Sequence, residues 1–599
     1  MVFFYTIITM KELKIKFNFG VLAVIFIALS FFVATSSYNF ITQKDGLIKW
    51  NSPDETANYY FANSYARGDD LIKFDHASAV ASDLVIPRSL RSDHGWLKPV
   101  SFLGIILIYG KIGALTSPLV IPYLTPFFGA LGIIFFYFLI RRLFSPRIAL
   151  ISAALLAVFP VYSYYSIRSM FHNVLFLVLL IIAFYFIVRA LDKKYLHQVK
   201  LKIFSFGLPK NVLSGWLFIF IGGFFIGLAI ITRSSELLWL LPVLAILILF
   251  YAKRLGILRI LLFLSGIGLG LLPALYYNQI LYQSPFYGGY GEMNRTLTDI
   301  SLASSEMIKS TFSSQIASYR ESINKIFNNI FFFGFHPGQS REMFGHYVVT
   351  MFPWLTYLAG AGVLGLIILN FTKPKKKYFV YLLVWVVLSV ILVLYYGSWR
   401  FTDNPNAGSH TIGNSYTRYW LPMYLMALPL VALAIELFLK LLFFLFRKTS
   451  AYRTLISGGA TVIVFLISLY SFNFLLFGSE EGILNLYYNT QEDKRLGKIV
   501  LENTPSEAIV MTQYHDKVLF PERRIIMGRL EEEQYYPYLN KLLNYYPVYY
   551  FNFKYDQATI DYLNNGRLAK SRLKMELINK ASGQFSLYKI SKIENKNEK

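Results

Sequence analysis

Apolar runs close to the length that crosses a bilayer recur along the chain from Gly20 to about Phe477, separated mostly by short polar connections. A helix rises about 1.5 Å per residue, so a hydrocarbon layer roughly 30 Å thick takes about 17 to 25 residues. The runs are 20–36, 118–140, 148–166, 173–190, 213–231, 236–251, 256–277, 347–370, 378–397, 419–440 and 454–477. This pattern predicts an all-α polytopic membrane domain of about eleven spans over residues 1–477. Pro99 to Leu115 is apolar too, but it is short, begins at Lys98-Pro99 and contains Gly104, Gly110 and Lys111. We read it as an interfacial or re-entrant helix, because a full crossing would move every later basic cluster to the outer face.

Beyond Gly478 the period changes. A polar helix over 491–503 is followed by strands over 508–512 and 524–527, a helix over 531–543, a strand over 548–553 and a helix over 557–564. Two further strands, 573–579 and 585–591, flank Ser582-Gly583. Residues 478–599 therefore read as a small external α/β domain. It carries no phosphate-cradling glycine motif, and no solenoid or transporter-like repeat runs through the chain.

Composition sharpens this picture. The 599 residues are 55% hydrophobic and only 15% charged, with a mean hydropathy of +0.46. The net charge of +24 could suggest nucleic acid. Its basic residues, however, sit in short clusters between apolar runs, as in cytoplasmic loops, so no nucleic-acid partner is expected. Placing those clusters inside makes the amino terminus cytoplasmic and the carboxyl domain external. The expected location is a multi-pass protein of a cell membrane, or of the endoplasmic reticulum in a eukaryote. Segments 37–117 and 278–346 become large external loops. The first span lacks a small-residue cleavage pattern and reads as a retained anchor. With no cysteine, disulfides, thiolate metal sites and cysteine nucleophiles are excluded.

Against a background of few acids, Ser52-Pro53-Asp54-Glu55 puts two adjacent carboxylates just beyond the first span. Ser, Pro and a Glu three after Ser also form a capping box, and a helix start fixes a carboxylate in place, which a general base needs. Further along the loop comes His94-Gly95-Trp96-Leu97-Lys98-Pro99. Lys98 is a mobile charge suited to phosphate, or an interfacial anchor. Arg400 opens a later loop and Arg418, in Tyr416-Thr417-Arg418-Tyr419-Trp420, closes it where a lipid headgroup would reach; the aromatic belt alone could also explain that sequence. Gly288-Gly289-Tyr290-Gly291 suggests a close-approach binding loop or a plain external turn. Seven of the eight histidines fall on the external side. That leaves a divalent metal open, although none of them has a paired ligand spacing.

Together these residues resemble the GT-C class of membrane glycosyltransferases, in the branch of protein O-mannosyltransferases and lipid A aminoarabinose transferases. The resemblance rests on Asp54-Glu55, Lys98-Pro99, Arg141-Arg142-Leu143-Phe144, Ile231-Thr232-Arg233, Tyr282-Gln283-Ser284-Pro285-Phe286 and Arg418-Tyr419-Trp420-Leu421-Pro422, in that order. It implies an enzyme with catalytic carboxylates at Asp54 and Glu55, Asp54 being the base. Lys98, Arg418 and Arg400 would hold the donor phosphate, and His94, His172, Asn173 and Tyr290 would contact sugar or acceptor. The implied donor is a polyprenyl-phosphate-linked sugar; the acceptor is a protein, lipid or glycan hydroxyl, and membrane lipid surrounds both. No cofactor beyond a possible divalent metal is implied. The sequence departs from the family at Arg168-Ser169-Met170-Phe171-His172-Asn173, where many relatives carry a second acid. An amide orients a hydroxyl but takes no proton, which keeps open a non-catalytic relative of the fold. A lipid or glycan transporter is the other alternative, weakened by the scarcity of ionisable residues within spans.

Overall fold

The computed structural model describes residues 19–44, 46–192, 210–288, 331, 333–404, 406, 408–478 and 480–593. Helices α1 (Phe19–Gln43), α5 (Ile121–Leu143), α8 (His172–Ala190), α9 (Lys210–Thr232), α10 (Leu237–Tyr282), α12 (Pro353–Thr372), α13 (Lys376–Ser398), α15 (Leu421–Leu442) and α16 (Tyr452–Phe477) form the membrane bundle. Among the described residues nine helices are long and apolar enough to cross a bilayer. A bent pair, α6 (Pro146–Val158) and α7 (Pro160–Ile167), turns by 52° at Pro160 and passes the same test jointly. Proline lacks the N–H that would continue the helix, which accounts for the bend.

The element α10 holds 46 residues, so unbroken it would run about 69 Å, more than twice the hydrocarbon thickness. Its backbone leaves the helix at Gly256, with φ 66° and ψ 161°. Both of its ends meet one short stretch of chain. Thr232, just ahead of it, lies so close to Gly104 that a Cβ there would sit 2.5 Å from the Thr232 backbone. At the other end Tyr282 Oη donates to the Pro99 carbonyl at 2.5 Å. The chain therefore reverses at Gly256, so the expected spans 236–251 and 256–277 are two separate helices. Counting these two helices apart and the bent pair as one gives eleven candidate spans among the described residues. The short helix α4 (Leu103–Leu115) has 13 residues, about 20 Å, and lies along α2 (Pro53–Ala66), with Gly110 against Tyr65 and Gly113 against Ala66.

One face of the bundle carries α2, α4 and a small antiparallel sheet. Its strands are β1 (Lys73–Phe74), β2 (Leu90–Asp93) and β3 (Trp96–Pro99), in the order β1-β3-β2. His94 and Gly95, at φ 51° and 84°, make the two-residue turn between β2 and β3. At the opposite face the basic clusters meet: Lys377 Nζ donates to the Arg142 carbonyl at 3.2 Å, and Lys376 to that of Phe250.

The carboxyl region begins with α17 (Ile483–Glu502) and holds one five-stranded sheet in the order β5-β4-β6-β8-β7. The strands are β4 (Ile509–Thr512), β5 (Arg524–Met527), β6 (Val548–Phe553), β7 (Leu573–Asn579) and β8 (Phe585–Lys592). β4 runs parallel to β5 and β6, whereas β8 pairs antiparallel with β6 and β7. This sheet region leans on the first loop. Arg524 pairs with Asp75 at 2.7 Å, Lys49 with Glu522, and the helical turn α18 (Asp516–Leu519) sits over the start of α2.

Candidate active site

Helix α2 begins where the sequence places its cap: Ser52 Oγ accepts from the Glu55 N–H at 3.3 Å, with Pro53 in the first turn. Asp54 and Glu55 thus sit at the positive end of a helix, which favours carboxylates. About 100° apart around the helix, they face different surroundings. Asp54 is half-buried, and its Oδ1 accepts from Ser89 Oγ at 2.6 Å. Ser89 has φ 64°, a left-handed conformation that costs a residue with a Cβ about 1–2 kcal/mol. Glu55 is buried and its Oε2 accepts from Arg168 Nη2 at 2.8 Å. Burial pushes the Glu55 carboxyl up, against the pull of Arg168. Burial likewise opposes the Arg168 charge, but Glu55 and Tyr164 outweigh it and hold the guanidinium protonated. Glu55, the second catalytic candidate, is committed to this pair.

Arg168 begins a ladder of guanidinium groups and rings. Its guanidinium lies 4.9 Å from the Phe171 ring, and that of Arg418 lies 4.8 Å from the same ring. Arg418 is also 5.2 Å from the Tyr419 ring, which Arg233 approaches at 4.7 Å. Arg233 in turn pairs with Glu236 at 2.8 Å, and Glu236 accepts from Tyr396 Oη at 2.8 Å. Both ends of the ladder are therefore neutralised, by Glu55 and by Glu236. Arg418, in the middle, donates to Ser415 Oγ at 2.7 Å and makes no ion pair with a described residue. Burial disfavours its charge, yet Tyr419, Tyr165, Asp403 and Asp54 together raise its pKa above the ordinary arginine value. Each desolvated guanidinium on a ring contributes on the order of 1–2 kcal/mol, so the ladder holds Arg418 in place without neutralising it.

Beside this row His172 Nε2 lies 3.1 Å from the Phe102 carbonyl and 3.3 Å from Ser101 Oγ. Ser101 Oγ donates to Asn58 Oδ1 at 2.6 Å, so it can only accept from the imidazole, as does the carbonyl. Both partners require the proton on Nε2, and Nδ1 keeps its lone pair. Asn173 Nδ2 donates to the Arg418 carbonyl at 3.1 Å, joining the loop 168–173 to the arginine that follows α13.

The other expected residues are dispersed. Lys98 is buried on β3, its Nζ 3.1 Å from Asp93 Oδ2 and 3.4 Å from the Leu281 carbonyl. His94 stands exposed at the hairpin tip against Asp93. Arg400 is exposed, next to Trp399, whose carbonyl accepts from Tyr416. Tyr290 lies outside the described residues. Sequence reading left Arg168, Ser89, Asn58 and Glu236 out of the site. Arg233 was visible in Ile231-Thr232-Arg233, at the end of a span, but without a role.

Beneath the ladder, among α5, α8, α10, α13 and α15, runs a largely apolar cavity of about 730 Å³. Trp239, whose Nε1 donates to Glu236, and Pro422, one turn beyond Arg418, line its upper end. Arg142, Arg254 and Lys377 line the other.

The donors among the described residues do not make a divalent-metal site. Among the described residues no three His, Asp or Glu side chains converge. Glu55 is taken by Arg168, and the place of a second acid holds Asn173, an amide.

The profile of the family described as dolichyl-phosphate-mannose-protein mannosyltransferase matches residues 119–212, the segment that supplies Arg168, Phe171, His172 and Asn173. No curated protein matches the sequence. Among solved structures, the fold is similar to the oligosaccharyltransferase of Archaeoglobus fulgidus tethered to an acceptor peptide with an NVT sequon. That pair shares 13% identity with a TM-score of 0.50 over 90% of this chain and 70% of that one. The same enzyme in complex with zinc and sulfate gives 13% and 0.50 over 91% and 69%. ArnT of Cupriavidus metallidurans aligns over 94% of this chain and 98% of its own, at 12% identity and a TM-score of 0.47. The chain is a multi-pass membrane protein with the GT-C glycosyltransferase fold. Over residues 119–212 it is similar to the dolichyl-phosphate-mannose-protein mannosyltransferase family.

Proposed function

We propose that this protein transfers a sugar from a polyprenyl-phosphate donor to a hydroxyl of a protein, lipid or glycan acceptor on the external face of the membrane, inverting the anomeric centre. The observation that carries the reading is Arg418: a guanidinium held by two aromatic rings, without an ion pair among the described residues, above an apolar cavity and within electrostatic reach of Asp54. An anion fixed there by its phosphate could lay its hydrocarbon chain along the cavity. Its anomeric carbon would then be presented to the side where Asp54 is half-exposed.

In this mechanism Asp54 takes the acceptor proton as the glycosidic bond to phosphate breaks through an oxocarbenium-like transition state. Arg418 stabilises the charge that builds on the departing phosphate. Ser89 orients the base, and Glu55 serves Arg168 rather than the substrate. Lys98 and Arg400 remain candidates for the donor phosphate that would need to turn toward it. Residues 1–477 form the catalytic membrane domain in this proposal, and residues 478–599 an external domain.

The test uses purified protein with radiolabelled polyprenyl-phosphate mannose, glucose and aminoarabinose, membrane extract supplying acceptors. Release of polyprenyl phosphate from one donor is expected, falling by about 10² to 10⁴ in Asp54→Asn. Turnover by Asp54→Asn equal to the parent would remove Asp54 from the mechanism, and inertness toward every donor would overturn the transferase reading.

A further inference from the structure

Two consecutive residues of the carboxyl region hold both segments that meet at Asp54. Asp516, fully buried in α18, accepts from the Arg88 backbone N–H at 3.0 Å and from its guanidinium at 2.6 Å (Nη2) and 3.1 Å (Nε). That fork fixes the backbone immediately ahead of Ser89. Ser89 is left-handed, a conformation a serine keeps only when its surroundings impose it, and this turn aims its hydroxyl at Asp54 Oδ1. Lys517 holds the other wall. Its Nζ donates to the Asn51 carbonyl at 3.0 Å, and its own carbonyl lies 3.5 Å from Thr56 Oγ1, so it grips the helix start on both sides of Asp54.

We infer that the carboxyl sheet region is a positioning element for Asp54, acting through the chain Asp516, Arg88, Ser89 and Asp54. Asp516, Arg88 and Ser89 are positioning residues rather than catalytic ones. The role of Asp54 in chemistry rests on the transferase reading above, but the mechanical link does not. Misplacing a reacting group by about 1 Å can cost on the order of a hundredfold in rate, so a loosened link is expected to act on kcat.

The full-length protein tests this with two measurements. In the donor-release assay, Ser89→Ala, Arg88→Ala and Asp516→Asn are expected to lower kcat about tenfold to a hundredfold with the donor KM unchanged. Arg88→Lys should recover part of the loss. A purely structural role would instead reduce the amount of folded protein and leave kcat per folded molecule alone. Ser89→Gly, which adopts the same backbone freely but lacks the hydroxyl, separates donor loss from strain and should resemble Ser89→Ala. The second measurement needs no turnover: in Asp516→Asn, amide hydrogen exchange should rise in segments 50–58 and 86–92 while β4 and β6 keep their protection. Unchanged exchange in both segments overturns the inference, as does parental kcat in all three variants of an enzyme that Asp54→Asn silences. A protein inert toward every donor would count against the transferase reading alone, because exchange still decides the link.

Discussion

At the scale of single residues, Arg418 is the centre of the proposed site. Withdrawing a charge from water without a partner costs several kcal/mol, and the protein offsets this with two rings, Ser415 and the more distant acids rather than with a carboxylate. A carboxylate partner would compete with a phosphate for the same N–H groups. Arg418→Ala is therefore expected to raise the donor KM at least tenfold in the release assay, and Arg418→Lys to recover little, since a compact ammonium neither stacks on Phe171 and Tyr419 nor presents two parallel donors. Donor KM unchanged in Arg418→Ala would show that the phosphate lies elsewhere, with Lys98 the next residue to vary. Sequence alone singled out Asp54 and Arg418 as candidates, because an acid beside a span and an arginine at a span mouth stand out where charge is rare. It named Asp54 the base only through the family resemblance; that Glu55 is held by Arg168, 113 positions along the chain, comes from the fold.

At the scale of elements, the carboxyl region combines a firm fold with one titratable weak point. His515 is buried beside the rings of Phe551 and Phe585, at 4.8 and 4.7 Å. Burial, with the positive charges of Lys517 and Arg88 against the negative ones of Asp493 and Asp516, lowers its pKa to about 4. The unfolded chain takes up this proton near pH 6.5, whereas the folded chain resists until about pH 4. Between those values the unfolded state binds more protons, so stability falls as pH drops through that window, by about 3 kcal/mol in all, and this group adds nothing further below it. Thermal unfolding of the full chain should decline less steeply from pH 6.5 to 4 in His515→Phe than in the parent; parallel slopes would discharge His515 from acid sensitivity. The elements around it were legible in the sequence. Expected strands 508–512, 524–527, 548–553, 573–579 and 585–591 each fall within a residue of the observed ones, because period-two apolar runs between turn residues carry that signal locally. The link from Asp516 to Arg88 was not legible, since it joins residues 428 positions apart through an ordinary acid and an ordinary arginine.

For the whole molecule, hydropathy and charge gave the bundle, and the fold adds which ends meet. Thr232 and Tyr282 both return to residues 99–104, which places α4, the first loop and the carboxyl sheet on one face and the clusters around Arg142, Arg254 and Lys377 on the other. A carrier would need ionisable groups free to change partners within the bundle. Glu236 is instead bound to Arg233 and Tyr396, and Glu436 to Lys440 at 2.5 Å. Which face looks outward follows from the basic clusters if cytoplasmic loops carry them, and the chain is suited to a direct test because it has no cysteine to mask. Gln584→Cys, at an exposed turn of the carboxyl region, should react with a membrane-impermeant maleimide in intact cells. Lys375→Cys, exposed between α12 and α13 on the basic face, should react only after permeabilisation. The reverse pattern would invert the topology and move the proposed chemistry to the cytoplasmic side, where the donor sugar and acceptor would have to be met instead.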